Sequence, residues 1–174
     1  MKLEQIFSVS LIYASIRSAT PIIYAALCAA ITQQADILNI GTEGIMLTGA
    51  FAAVAVSYFS GSWLMGILAA MMAGFVISGI MAVGHIKYKA DICAIGMGIN
   101  LFALAITKFM LNVIFDTSGT FTDPDVKAIP RVDIPFIKNI PILKDIFNDW
   151  AVTEWFMIVL ILILTFLLYR TVGD

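Results

Sequence analysis

The sequence predicts an all-α protein: a polytopic transmembrane helical bundle of about five membrane segments, the second of them broken or re-entrant. Three observations predict it. Of 174 residues, 61% are hydrophobic and only 13% charged, against roughly 45–50% and about 25% in soluble domains. The charges are unevenly spread, with eleven of them between residues 116 and 154. What remains falls into apolar stretches near the roughly 20 residues that a spanning helix requires. In hydrocarbon each backbone polar group must find its partner within the segment, so these stretches are helices; the period-2 alternation of a transmembrane barrel is absent. Together these features exclude a disordered chain, a disulfide-stapled secreted domain and an ordinary soluble enzyme. The net charge of −2 leaves no basic face for nucleic acid.

The first apolar stretch covers residues 6–32. Arg17 and Pro21 interrupt it, and proline is at home in a first turn, where its missing N–H has no partner to lose. The expectation is a short interfacial helix to about Ser18 and a spanning helix that begins near Pro21. Ala25-Ala26-Leu27-Cys28 has the outline of a lipoprotein cleavage site, but Leu27 is too large for the position before the cysteine. Cys28 and Cys93 lie in apolar helical contexts and read as small buried hydrophobes.

The second stretch, 37–59, begins with unusual polarity. Asp36, Asn39 and Glu43 are spaced as one helix face, and Gly41, Gly44 and Gly49 permit a helix break or the close approach of another backbone. A carboxylate in a membrane segment faces protein or water. Glu43 therefore has two readings, a brace bonded to backbone N–H groups at a helix break or a group lining a permeation route. Both put this segment inside the bundle.

The third stretch, 63–84, has no acidic or basic residue. Gly66, Ala70, Gly74, Ser78 and Ala82 recur every four residues, a small-residue packing face for close helix crossing in lipid. The fourth, 90–115, carries Asn100, Thr107, Lys108 and Asn112. Asn100 can hydrogen-bond a polar solute without the desolvation cost of a charge, or bond to another helix; Lys108 can snorkel toward an interface or lie on the path. The fifth, 155–169, is mostly Leu, Ile, Val and Phe, with no Gly.

Between the last two lies the 116–154 loop, with Pro124, Pro130, Pro135 and Pro141 and an Ile-Pro pair repeated at 129, 134 and 140. Residues before proline favour extended backbone, so this is a semi-rigid cover with a short amphipathic helix around 142–150. By the distribution of basic residues in short links, the link with His85, Lys87 and Lys89 is cytoplasmic and the acidic 116–154 loop external.

Catalytic patterns are missing. There is one histidine, no G-x-S-x-G elbow, no phosphate-binding G-x-x-x-x-G-K-[ST], and no Cys/His set that would hold a metal. No enzyme activity, cofactor or metal is expected.

The stretch Asn39-Ile40-Gly41-Thr42-Glu43-Gly44-Ile45-Met46-Leu47-Thr48-Gly49-Ala50-Phe51 resembles the N-I-G-x-E-G-x-M-L-x-G-A-F motif of ABC-importer permeases for simple sugars and nucleosides, within the ribose and branched-chain amino acid permease superfamily. Ile16-Arg17-Ser18-Ala19-Thr20-Pro21 resembles the start of that family's first main helix. The segment from Ala90-Asp91-Ile92 to Gly98-Ile99-Asn100-Leu101 resembles its A-D-x-x-x-x-G-x-x-x-N-L stretch, and the Ile-Pro repeats resemble its external loop. The resemblance implies a multi-pass permease subunit in a bacterial plasma membrane. It would pair with a second permease subunit, be driven by cytoplasmic ATP-binding subunits that hydrolyse ATP, and receive nucleosides or sugars from an extracytoplasmic solute-binding protein. Asn39, Glu43 and Asn100 would lie along the solute pathway. Family members are about twice as long, so residues 1–174 read as one transmembrane region, the N-terminal half of a longer permease. The alternative on the residues alone is half of a secondary transporter or channel with no ATPase, its site at the broken second helix.

Overall fold

The computed structural model describes residues 9–117, 119, 121, 126–127, 129–132 and 150–171. Among them are five helices: α1 (Val9–Gln33), α2 (Thr42–Ser60), α3 (Trp63–Ile86), α4 (Ile92–Phe115) and α5 (Val152–Thr171). Two-residue strands β1 (Arg131–Val132) and β2 (Trp150–Ala151) form one antiparallel pairing. Four helices are long and apolar enough to cross a membrane, and α5 contributes a shorter apolar run. Large apolar side chains cover much of the outer surface, among them Met71, Phe75, Leu101 and Phe166, as suits a chain whose solvent is lipid. The chain divides into two compact units, residues 28–128 and residues 1–27 with 129–174.

α1 corrects the sequence expectation. It is one continuous helix through Pro21 rather than an interfacial helix followed by a second one. Proline removes a single backbone donor, and in membrane helices side-chain hydroxyls help to offset such breaks. The carbonyl freed at Pro21 is that of Arg17; the nearby hydroxyls bond other carbonyls, Thr20 Oγ1 donating to Ile16 O at 2.9 Å and Ser15 Oγ to Leu11 O at 2.8 Å. Cys28, expected to be buried, is exposed on α1, and Cys93 is half-buried.

In the terminal unit, Tyr24 Oη donates to Thr153 O at 2.7 Å, tying α1 to the first turn of α5. Glu154 accepts the Ala151 N–H at 3.0 Å and is buried, so a carboxylate three positions into the helix satisfies the donor at its cap. That bond starts α5 at Val152 and takes Glu154 out of the loop to which its charge had assigned it. The expected helix around 142–150 and Pro124, Pro135 and Pro141 lie outside the described residues, apart from Trp150 in β2.

The 28–128 unit is a three-helix packing of α2, α3 and α4. Two residues, Gly61 and Ser62, join α2 to α3. Gly61 holds φ 63 and sends its N–H back to Ser57 O, a left-handed cap open to glycine at little cost. The antiparallel pair then closes through small residues. A Cβ on Gly66 would lie 2.9 Å from Ala53 O and 3.2 Å from Ser57 Cβ; one on Gly49 would meet Ala70 O, and one on Gly74 would meet Ile45 Cγ2, both at 3.6 Å.

The expected small-residue stripe therefore divides. Gly66, Ala70 and Gly74 face α2, whereas Ser78 and Ala82 are exposed. A four-residue repeat drifts about 40° per step on a helix of 3.6 residues per turn, so the stripe rotates off the contact. Met81, buried, takes over at that end.

The α3–α4 link is tied by His85 Nδ1, 3.0 Å from Ala90 O, and by Ala90 N–H donating to Gly84 O. A carbonyl only accepts, so Nδ1 carries the proton. Asp91 caps α4 by accepting from Ala94 N–H at 2.9 Å. At the other end of the unit Tyr58, Phe59, Phe115 and Phe121 form an aromatic cluster, with Phe115 and Phe121 centroids 4.0 Å apart. Ser57 Oγ donates to Lys127 O there.

Candidate functional site

The polar start of the second segment is where helix geometry fails. α1 ends at Gln33 and residues 34–41 are turn and irregular backbone, with Asp36 at φ 55. α2 begins only at Thr42. Asp36 and Asn39 are thus outside the helix, and the single helical face expected for Asp36, Asn39 and Glu43 does not form. Helix spacing means nothing across a break.

The break is held against α4. The Asn100 side chain reaches across 56 residues of sequence: its Oδ1 accepts the Gly44 N–H at 2.8 Å and its Nδ2 donates to Ile40 O at 3.0 Å. One of the unpaired donors of the α2 N-terminus and one carbonyl of the irregular segment are satisfied by the same amide.

The approach depends on glycines. A Cβ on Gly44 would sit 2.9–3.0 Å from Asn100 Oδ1, Asn100 Cα and Ile99 O. One on Gly96 would sit 2.8 Å from Gly41 N and 3.2 Å from Ile40 Cβ; one on Gly41 would meet Met81 Sδ at 3.3 Å. These contacts bring the break and the start of α2 onto the first three turns of α4. Thr42 Oγ1 donates to Asn39 O at 2.9 Å and closes the break on itself. Asn39 Oδ1 is buried with no hydrogen-bond partner among the described residues.

The sequence-derived residues separate accordingly. Gly41, Gly44, Asn39 and Asn100 come together; Gly49 lies further along α2 against α3. Glu43 is exposed in the first turn of α2, where its charge complements the positive end of the helix dipole. Among the described residues no hydrogen bond joins Glu43 to the break, and Asn100 supplies that bracing instead. Sequence reasoning did not single out Met81, and Gly96 entered only as the glycine of the A-D-x-x-x-x-G-x-x-x-N-L stretch, with no role of its own. The signal for Gly96 was present as the glycine four residues before Asn100, one turn away on the same face.

A second polar position lies on the opposite side of α4. Ile99, Ala103 and Thr107 are buried toward the bundle, whereas Lys108 and Asn112 are exposed. With Leu111 and Gly119 they line a cleft of about 250 Å³. Among the described residues there is no group of His, Cys, Asp or Glu that would hold a metal.

Comparison with known proteins finds a family and several relatives. The chain is 34% identical over 179 residues to the guanosine ABC transporter permease protein NupQ of Bacillus subtilis, covering 98% of this chain and 55% of the relative. It is 28% identical to the nucleoside ABC transporter permease protein NupC of Lactococcus lactis (88% and 50% covered) and 22% identical to the putative glucose ABC transporter permease protein TsgC13 of Haloferax volcanii (95% and 49%). The chain spans about half the length of these relatives. No solved structure matches. Residues 11–173 match the model of the branched-chain amino acid transport system / permease component family, and with its membrane-length helices the chain belongs to that family as a multi-pass membrane protein.

Proposed function

We propose that this chain forms part of the solute pathway of an ATP-driven importer for nucleosides in a bacterial plasma membrane. The observation that carries the reading is the family match over residues 11–173; the relatives named for guanosine and nucleosides favour that solute class over sugars. The permease pairs with a second permease subunit. ATP is hydrolysed on separate cytoplasmic subunits, and an extracytoplasmic binding protein delivers the solute. The basic link through Lys87 and Lys89 faces the cytoplasm and the 116–154 loop faces outward. With α2, α3 and α4 crossing in turn, the Asn39–Glu43 break lies at the cytoplasmic mouth. Exposed Glu43 then borders the aqueous path, while Asn100 fixes its position from behind.

The test is purification of the tagged protein from native membranes in mild detergent, with mass spectrometry of every band. Recovery with ATP-binding subunits and a second permease is the expected result. Recovery without any ATPase, together with uptake that survives ATP depletion, overturns the reading in favour of a secondary transporter or channel. In the intact importer, Glu43→Ala is expected to lower uptake several-fold more than it lowers membrane abundance. Equal losses in both would assign Glu43 to the fold alone.

A further inference from the structure

Within α2, α3 and α4, Lys108 is the only acidic or basic residue more than one turn from a helix end. It lies two turns before Phe115, about 10 Å along the axis. Among the described residues it makes no ion pair or hydrogen bond. It projects from the side of α4 opposite the buried Ile99, Ala103 and Thr107, into the cleft shared with Leu111, Asn112 and Gly119. A charged side chain directed at lipid from that depth is costly, and such residues characteristically face a bundle interior or a water-filled cavity. Its ammonium carries three donors and no acceptor. It therefore selects groups that present acceptors, and repels cations.

We propose that Lys108 is a solute-contacting residue in the outer half of the pathway, donating to the carbonyl and ring-nitrogen edge of an oxopurine nucleoside. The inference rests on the nucleoside reading above and extends it to one contact. A lysine commonly reads the paired O6 and N7 acceptors of guanine, and a hydrogen bond from a charged donor is stronger than one between neutral groups. The same position explains why the break at Asn39–Glu43 is not the sole polar feature of the unit: solute meets Lys108 on the external side before it reaches the cytoplasmic mouth.

The experiment uses the complete importer in vesicles of zwitterionic lipid, with and without added anionic lipid, and measures uptake of guanosine and of 7-deazaguanosine, which lacks the N7 acceptor. Lys108→Met is expected to raise the KM for guanosine about tenfold, the scale of one charge-assisted hydrogen bond, with membrane abundance unchanged. Lys108→Arg is expected to recover most of the loss. The wild type prefers guanosine to the deaza analogue, and Lys108→Met abolishes that preference. An unchanged KM and preference in Lys108→Met overturns the inference while leaving the importer reading intact. An effect seen only with anionic lipid also overturns it and makes Lys108 a headgroup contact. Uptake of sugar but of no nucleoside overturns the nucleoside reading and this inference together.

Discussion

A methyl group on Gly96 would stand 2.8 Å from the backbone nitrogen of Gly41, so either α4 or the irregular segment that leads into α2 must shift to admit it. Gly96→Ala is therefore expected to destabilise the protein by about 1–3 kcal/mol, as overpacking does. Gly98→Ala, two residues on with no atom within 4 Å of its Cβ position, should be neutral. Thermal unfolding in detergent compares the two. Asn100→Leu removes both bonds to the break, for an expected loss of about 1–2 kcal/mol; Asn100→Asp keeps the acceptor for Gly44 N–H but turns a carboxylate toward Ile40 O and brings a charge into the membrane segment, so it should lose at least as much. The residues of this clamp were largely legible in the sequence, because glycines beside amides and a carboxylate are rare in apolar segments. Their division of labour was not. Spacing identifies Asn100 as polar and intramembrane, but not that its two hydrogen-bonding ends meet Ile40 and Gly44, some 60 and 56 residues away. Nor does apolar context distinguish a buried cysteine from one on the outer surface, as Cys28 shows.

Helices were read from apolar length, and that reading places α3 and α4 within two residues of their observed ends. It is less sharp where polar chemistry decides. α2 starts five residues later than apolarity alone implies, because the break consumes residues 37–41. α1 is continuous where proline implied a boundary, and α5 starts at Val152 because Glu154 caps it. The stripe on α3 was visible as a pattern, yet only its first three members meet α2. Its partner face (Ile45, Gly49, Ala53 and Ser57) carries the same four-residue spacing, so the two ridges cross and part. Replacing Gly66 with leucine forces side-chain atoms into Ala53 O and is expected to abolish normal membrane abundance. Gly79→Leu, where nothing lies within 4 Å, should leave abundance near the wild-type level on an immunoblot of isolated membranes.

On the scale of the whole molecule, the 28–128 unit has two unlike ends. One is the glycine-rich break pinned to α4; the other is the aromatic cluster around Phe115, whose Tyr58 is of the residue type enriched at membrane–water interfaces. The proposed orientation makes the first end cytoplasmic. In a background with Cys28 and Cys93 replaced, Lys87→Cys is expected to react with a membrane-impermeant maleimide only from the cytoplasmic face, and Gly119→Cys only from outside; the reverse pattern would invert the topology. The two-residue connection at Gly61–Ser62 also bears on biogenesis. So short a link gives α2 no room to settle in the bilayer while α3 is still in the insertion machinery. α2, with its glycines and threonines, is the less apolar of the two, and α3 is the most apolar of the four membrane-length helices. The two would leave the translocon as a hairpin, α3 drawing its weaker neighbour into lipid, and the glycine face that later packs them would be engaged from the moment of insertion.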